Sequence, residues 1–334
     1  MKRLGVNIPL EGLPVEESVV PLARFAEALG YTDVWSAESG HVDGLTPLAA
    51  VAATCPSLRL GTAILPIYTR PPALMAMSAA GLQLLSGGRF VLGLGTSTSI
   101  IVERWMGQSF TKPLARVRET VGVIREALAG KKVTFQGESI SLDGFRLSTG
   151  EVTDVPIYIA ALGPKMLRLA GEIADGVILW LFTPDGVGEA LKHVREGAAA
   201  AGRDPDSIDV VMRIVVAVDE DPEVLSYMMR RLATTYVMVD VYNASIRRQG
   251  FAKEADEVRR LWDAGDREGA AAAISDELLN GIFITGDHDS CRAKLERFRE
   301  VGIKTPVLFP VSVDGDPAVR VEKARHVLEV MAGA

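Results

Sequence analysis

The sequence predicts an α/β fold closed as a (β/α)8 barrel, and three observations carry that expectation. Short apolar runs alternate with helical stretches eight times along the 334 residues. Runs such as Phe90 to Leu94 and Pro156 to Ala161 lack polar alternation. Both faces of each must therefore be covered, as in a parallel sheet wrapped by helices. The strand-to-helix connections are short, which favours a closed barrel over an open sheet, and barrels of this length fold as one unit. The expected organisation is a single domain over residues 1–334.

Leu4 to Ile8 reads as the first strand, ended by Pro9, and Val15 to Leu29 as a helix started by Pro14 and stopped by Gly30. Thr32 to Ala37 is the second strand. Thr46 is the expected cap of a helix running to Cys55, with Pro47 in its first turn. Arg59 to Ile64, a helix over Ala73 to Ser86 and Phe90 to Leu94 form one strand–helix–strand unit, with Gly87-Gly88 breaking the helix. A polar loop after Thr96 leads to a helix from about Pro113 to Ala129, then to a small hairpin around Gln136-Gly137-Glu138. Pro156 to Ala161, Gly176 to Phe182, Ile208 to Val218 and Pro306 to Pro310 complete eight strands, nearly all followed by helical sequence. The helical stretch after the seventh strand, about 221–280, is too long for one crossover and reads as an insertion.

Composition narrows the function. A net charge of −7 argues against a nucleic-acid partner, which needs clustered Lys and Arg. Cys55 and Cys291 are far apart, so neither a disulfide framework nor a CxxC metal pair is available. No apolar run approaches the ~18 residues of a membrane helix, and the N-terminus lacks a signal-peptide pattern. A cytoplasmic protein acting on a small molecule is expected, without a membrane partner.

In such a barrel, chemistry belongs to the loops leaving the C-terminal strand ends. Gly93-Leu94-Gly95 lacks the third glycine and the following helix of a dinucleotide fingerprint. Glu38-x-x-His41 with Asp43 has the look of a ligand set, although a strand-end loop that merely holds polar residues explains it more simply. Ala161-Leu162-Gly163-Pro164 opens a helix, where free amides and the helix dipole suit a phosphate. Trp35 is expected in the core, and Trp105 is the better placed to stack on a flat ligand. The segment from Tyr227 to Tyr242 suits a pocket roof, a dimer contact or plain core packing.

Together, LRLGTAILPIYTRPPALMAMSAAGLQLLSGGRFVLGLG, YIAALGPK, EIADG and PVLFPV resemble the luciferase-like monooxygenase superfamily, in its branch that uses the deazaflavin coenzyme F420. The resemblance spans nearly the whole chain. It implies a (β/α)8 barrel holding the cofactor at the strand C-termini, with a non-proline cis peptide at Ala63-Ile64 against one face of the ring. It also implies Thr96 and Ser97 along the cofactor, and the backbone of Ala161, Leu162, Gly163 and Pro164 near its phosphate. Many relatives end the second strand in an acid followed by histidine; here Glu38 is followed by Ser39, and His41 comes two residues later. Where some deazaflavin sugar dehydrogenases carry a glutamate after strand four, this chain has Thr98, with Glu103 the nearest carboxylate. These departures argue against sugar dehydrogenation and leave Glu38, His41 and Glu103 as candidate proton donors or relays. The activity implied is hydride transfer between F420 and an organic substrate, as a reductase, in a homodimer. The alternatives are an FMN-dependent monooxygenase using oxygen, and a flavin-binding protein without catalysis. No metal is implied.

Overall fold

The computed structural model describes residues 2–152 and 154–334. Eight parallel strands close on themselves: β1 (Gly5–Asn7), β2 (Asp33–Ser36), β3 (Arg59–Thr62), β4 (Phe90–Gly95), β5 (Ile157–Ala160), β6 (Gly176–Trp180), β7 (Asp209–Val218) and β8 (Thr305–Pro310). β1 pairs with both β2 and β8, with Gly5 opposite Asp33 and Val307, and β7 pairs with both β6 and β8. All eight expected strands are present, because each apolar run is buried on both faces. The barrel helices are α1 (Val20–Ala28), α2 (Thr46–Thr54), α3 (Pro72–Leu85), α4 (Pro113–Leu128), α5 (Pro164–Ile173), α6 (Pro184–Ala200), α7 (His288–Glu300) and α8 (Pro317–Met331).

One core lies between strands and helices, and a second fills the barrel lumen with Trp35, Ala63, Val91, Tyr158, Ile178, Val211 and Val307. Trp35 lies across the lumen at 0% exposure. It fits because position 61 is glycine, where a Cβ would come within 2.3 Å of the indole. At the N-terminal end of the strands, Arg59 closes the lumen. It pairs with Asp33, donates to Asp209 Oδ2 at 3.1 Å and Tyr158 Oη at 3.2 Å, and reaches Thr305 Oγ1 at 3.1 Å.

After β7 come helices Pro222–Val237, Asp240–Ile246, Ala252–Asp263, Arg267–Ala272 and Asp276–Ile282. Their apolar faces bury Met229, Val237, Ile246, Val258 and Phe283 in a core of their own, which joins the barrel at Leu181 and Ala217. Gly250 and Gly265, at φ +104° and +85°, mark breaks in this helical run. A short strand, Ile284–Gly286, then adds to the edge of β7.

Three local expectations need correction. The helix expected over Val15 to Leu29 is two, Val15–Ser18 and α1, because Val19 leaves helical geometry (φ −105°, ψ −90°) just before Pro21. Thr46 is not the cap of α2; Asp43 Oδ1 accepts from the amides of Leu45 and Thr46, at 2.9 and 3.0 Å. The polar loop after β4 contains a π-helical turn, Ile100–Trp105.

Candidate functional site

The C-terminal mouth is built around the end of β3. Ala63-Ile64 is cis, as the family resemblance implies, and the bulge is tied to the β2 loop. Ala63 N donates to Ser36 O at 2.6 Å, and Glu38 N donates to Ile64 O at 3.1 Å. Beside it, β4 ends on Gly95. A Cβ there would lie 2.9 Å from Ile64 Cγ1 and 3.2 Å from Ala160 Cβ. The absent side chain lets Ile64, Gly95 and Ala160 form one apolar floor, of which Ile64 and Ala160 are partly exposed. Thr96 and Ser97 leave that floor directly, Ser97 in the left-handed region (φ +57°) with Thr96 Oγ1 donating to its carbonyl at 3.3 Å.

Across the mouth, Ala161 N donates to Ile178 O at 3.1 Å and aligns the turn into α5, whose N-terminus is Gly163 and Pro164. Glycine offers its amide without a side chain, and proline leaves no donor unused. Arg248 from the insertion stands over this turn, donating to Leu162 O at 3.2 Å. Desolvation against this turn holds its guanidinium below the usual range, although the side chain is exposed.

The three candidate acids and bases fare differently. Glu38 is anchored: Arg70 Nη2 contacts its Oε2 at 2.8 Å, and Gly44 N donates to the same oxygen at 3.2 Å. The two side chains are only 12% and 19% exposed. Asp43, also near Arg70 at 3.8 Å, is pushed up by burial but lowered more by Thr46, Leu45 and Arg70. His41 is exposed. Glu103 is exposed and accepts from Phe110 N at 3.2 Å, within its own loop. The β2 and β4 loops do meet, since a Cβ on Gly40 would lie 3.0 Å from the Trp105 ring. Trp105 itself is 58% exposed at the mouth. Among the described residues no group of three His, Cys, Asp or Glu is disposed to hold a metal.

A cavity of about 880 Å³ lies at the other end of the barrel, lined by Lys2, Arg3, Arg59, Arg89 and Lys304 among others. None of the candidate residues lines it, and the strand C-termini point away from it. The mouth, with its bulge, apolar floor and helix N-terminus, is the better site.

The luciferase-like monooxygenase family description matches residues 9–305. The chain belongs to that family. It is 32% identical over 341 aligned positions to a protein of Mycobacterium tuberculosis named as a coenzyme F420-dependent oxidoreductase, covering 93% of this chain and 96% of the relative. It is 30% identical over 302 residues to the 5,10-methylenetetrahydromethanopterin reductase of Methanolobus tindarius, covering 89% and 92%. Its fold matches the coenzyme F420-dependent tetrahydromethanopterin reductase of Methanopyrus kandleri with a TM-score of 0.81 at 24% identity, over 99% and 97% of the two chains. The chain is an oxidoreductase of this family.

Three residues of this family member escaped sequence reasoning. Arg70 follows β3 by only eight positions, but its partner is 32 residues earlier. Arg248 lies in an insertion whose path no pattern dictates. Arg213 did leave a signal, as the one charge inside the apolar run of β7. It points into the mouth, where its Nη1 donates to Ala63 O at 3.2 Å.

Proposed function

We propose that the protein transfers a hydride between F420 and a small organic substrate, in the direction of substrate reduction. The observation that carries this is the apolar floor of Ile64, Gly95 and Ala160, lying alongside a helix N-terminus backed by an arginine. A flat tricyclic ring with an anionic tail needs both. The Mycobacterium tuberculosis relative named for F420 supports the choice of cofactor.

When bound, a deazaflavin supplies two-electron hydride chemistry at a ring carbon. The chain's own part is orientation and exclusion of water. Ala63 and Ile64 would back one face of the ring, Thr96 and Ser97 would run along it, and the backbone of Ala161, Leu162, Gly163 and Pro164 would meet its phosphate with Arg248 as counter-charge. Glu38 is the anchored carboxylate of the proton path. His41, exposed, exchanges protons with solvent, and Glu103 is the reserve donor on the facing loop.

The assembly belongs to the same proposal. α3 presents Leu74, Met77, Leu84 and Leu85 to solvent, the last two at 60% and 69% exposure, which suits a homodimer contact.

The test is a pair of titrations following quenching of F420 and of FMN fluorescence. Micromolar binding of F420 is expected, and binding of FMN alone sinks the proposal. Tight F420 binding without turnover across a substrate panel would favour a cofactor-binding protein without catalysis.

A further inference from the structure

Arg213 is an uncommon object: a guanidinium drawn from the middle of an apolar strand into the mouth of a barrel. Its guanidinium carbon stands over two rings, 4.7 Å from the Trp180 centroid and 5.4 Å from that of Phe309. Tyr236 of the insertion packs edge-on against Trp180 at 5.9 Å, and Tyr242 against Tyr236 at 5.0 Å. Trp180, Tyr236, Tyr242, Phe309 and Arg213 itself all keep part of their surface open.

Stacking uses the faces of a guanidinium and leaves its in-plane N–H groups for other partners. Nη1 is spent on Ala63 O, while Nε is buried and has no hydrogen-bond partner. Among the described residues no carboxylate oxygen lies within 4.0 Å of Arg213. Two other arginines described at this mouth are engaged: Arg70 holds Glu38, and Arg248 holds Leu162 O. Burial lowers the pKa of Arg213, against support from Tyr236, Tyr242 and Glu11. A partly desolvated cation without a counter-ion is costly, and an incoming anion lowers that cost.

We propose that Arg213 is the anion receptor of the substrate pocket, and that the substrate carries a carboxylate on a planar or apolar body. The carboxylate meets the guanidinium edge, and the body lies among Trp180, Tyr236 and Tyr242. The inference deepens the proposed function and rests on its placing the reaction at this mouth. The ring's own carbonyl edge is the other source of oxygen that the fork could take, and the experiment separates the two.

The probes are sodium benzoate and its neutral isostere benzamide, followed by intrinsic tryptophan fluorescence, after F420 binding to each protein has been measured. Wild-type protein should bind benzoate at least about tenfold more tightly than benzamide, the scale of one charge-assisted hydrogen bond. In Arg213→Met the two ligands should become equivalent, with F420 affinity held within about threefold. Arg213→Lys keeps the charge without the fork, and should retain only part of the preference. It also decides the matter if the methionine variant fails to fold. Equal binding of the two probes by wild type, or a preference that survives in a folded Arg213→Met, overturns the inference. So does a loss of F420 affinity unaccompanied by any benzoate preference, which would assign the fork to the ring. If F420 does not bind at all, the cofactor proposal falls by itself, while the benzoate comparison still tests Arg213.

Discussion

Gly95→Ala tests the floor of the mouth with one methyl group. Its Cβ would sit 2.9 Å from Ile64 Cγ1, 3.1 Å from Ile64 Cδ1 and 3.2 Å from Ala160 Cβ, so these atoms must move by several tenths of an ångström. Overpacking on that scale costs about 1–3 kcal/mol. Unfolding entropy of about 2.1 cal/mol/K per residue gives about 0.7 kcal/mol/K for the chain, so the melting temperature should fall by roughly 1.5–4 °C. Ile64 is backed by the β3 bulge and can yield only towards the open mouth, into the space assigned to the ring. F420 affinity should therefore fall at least about tenfold, or 1.4 kcal/mol. The assay is F420 fluorescence quenching beside a thermal melt, with Gly81→Ala on α3 as control. A Cβ at Gly81 meets nothing within 4 Å. That control should leave F420 binding alone and add about 0.5–1 kcal/mol of helix stability. Unchanged F420 affinity in a destabilised Gly95→Ala would refute the floor as the ring's seat.

Arg248→Gln should weaken F420 binding several-fold, and the loss should shrink at high salt, since exposed charge is screened; equal affinity across salt would remove Arg248 from the phosphate site. Arg59→Met strands Asp33 and Asp209 and should cost about 3–5 kcal/mol, read as a melting drop of roughly 4–7 °C. Asp209 is pushed up by burial but brought below the usual range overall by Tyr158 and Arg59. Its contribution is therefore complete above the unfolded value near 3.9 and is lost as the pH falls through that value and below. Wild type should lose stability more steeply than Arg59→Met in acid melts, and parallel slopes would count against the network. Leu84→Glu with Leu85→Glu should convert the expected dimer to monomer in light scattering; an unchanged mass would free α3 of that role.

The barrel was legible because burial on both faces leaves an unmistakable mark: a strand like Phe90 to Gly95 has nowhere polar to be. The ends of elements were less so. Asp43 displaced Thr46 as the cap of α2 because a carboxylate three residues earlier reaches two amides at once, a choice that depends on the turn and not on the residue type. Of the site, the glycines are local features and could be read directly, while the cis bulge at Ala63-Ile64 came only with the family resemblance. The cations were not. Arg70 and Arg248 act on groups 32 and 86 positions away, and only the closed fold brings those distances to about 3 Å. Arg213 alone could have been found, as a charge in a run whose every neighbour is apolar.

Besides its apolar contact at Leu181 and Ala217, the insertion is tied to the mouth loops by two adjacent residues. Gln249 accepts from Thr183 N at 2.7 Å and donates to Leu181 O at 3.1 Å, while Arg248 takes Leu162 O. A single turn thus clips a 60-odd-residue cassette (Pro222–Ile282) onto the loops after β5 and β6. Exchange of that cassette between relatives would alter the aromatic roof over Arg213 and the charge over α5 in one step. Chimaeras that keep Arg248 and Gln249 while replacing the rest should change which substrates enter without loosening the grip on the cofactor, so that specificity here can be transplanted as a part.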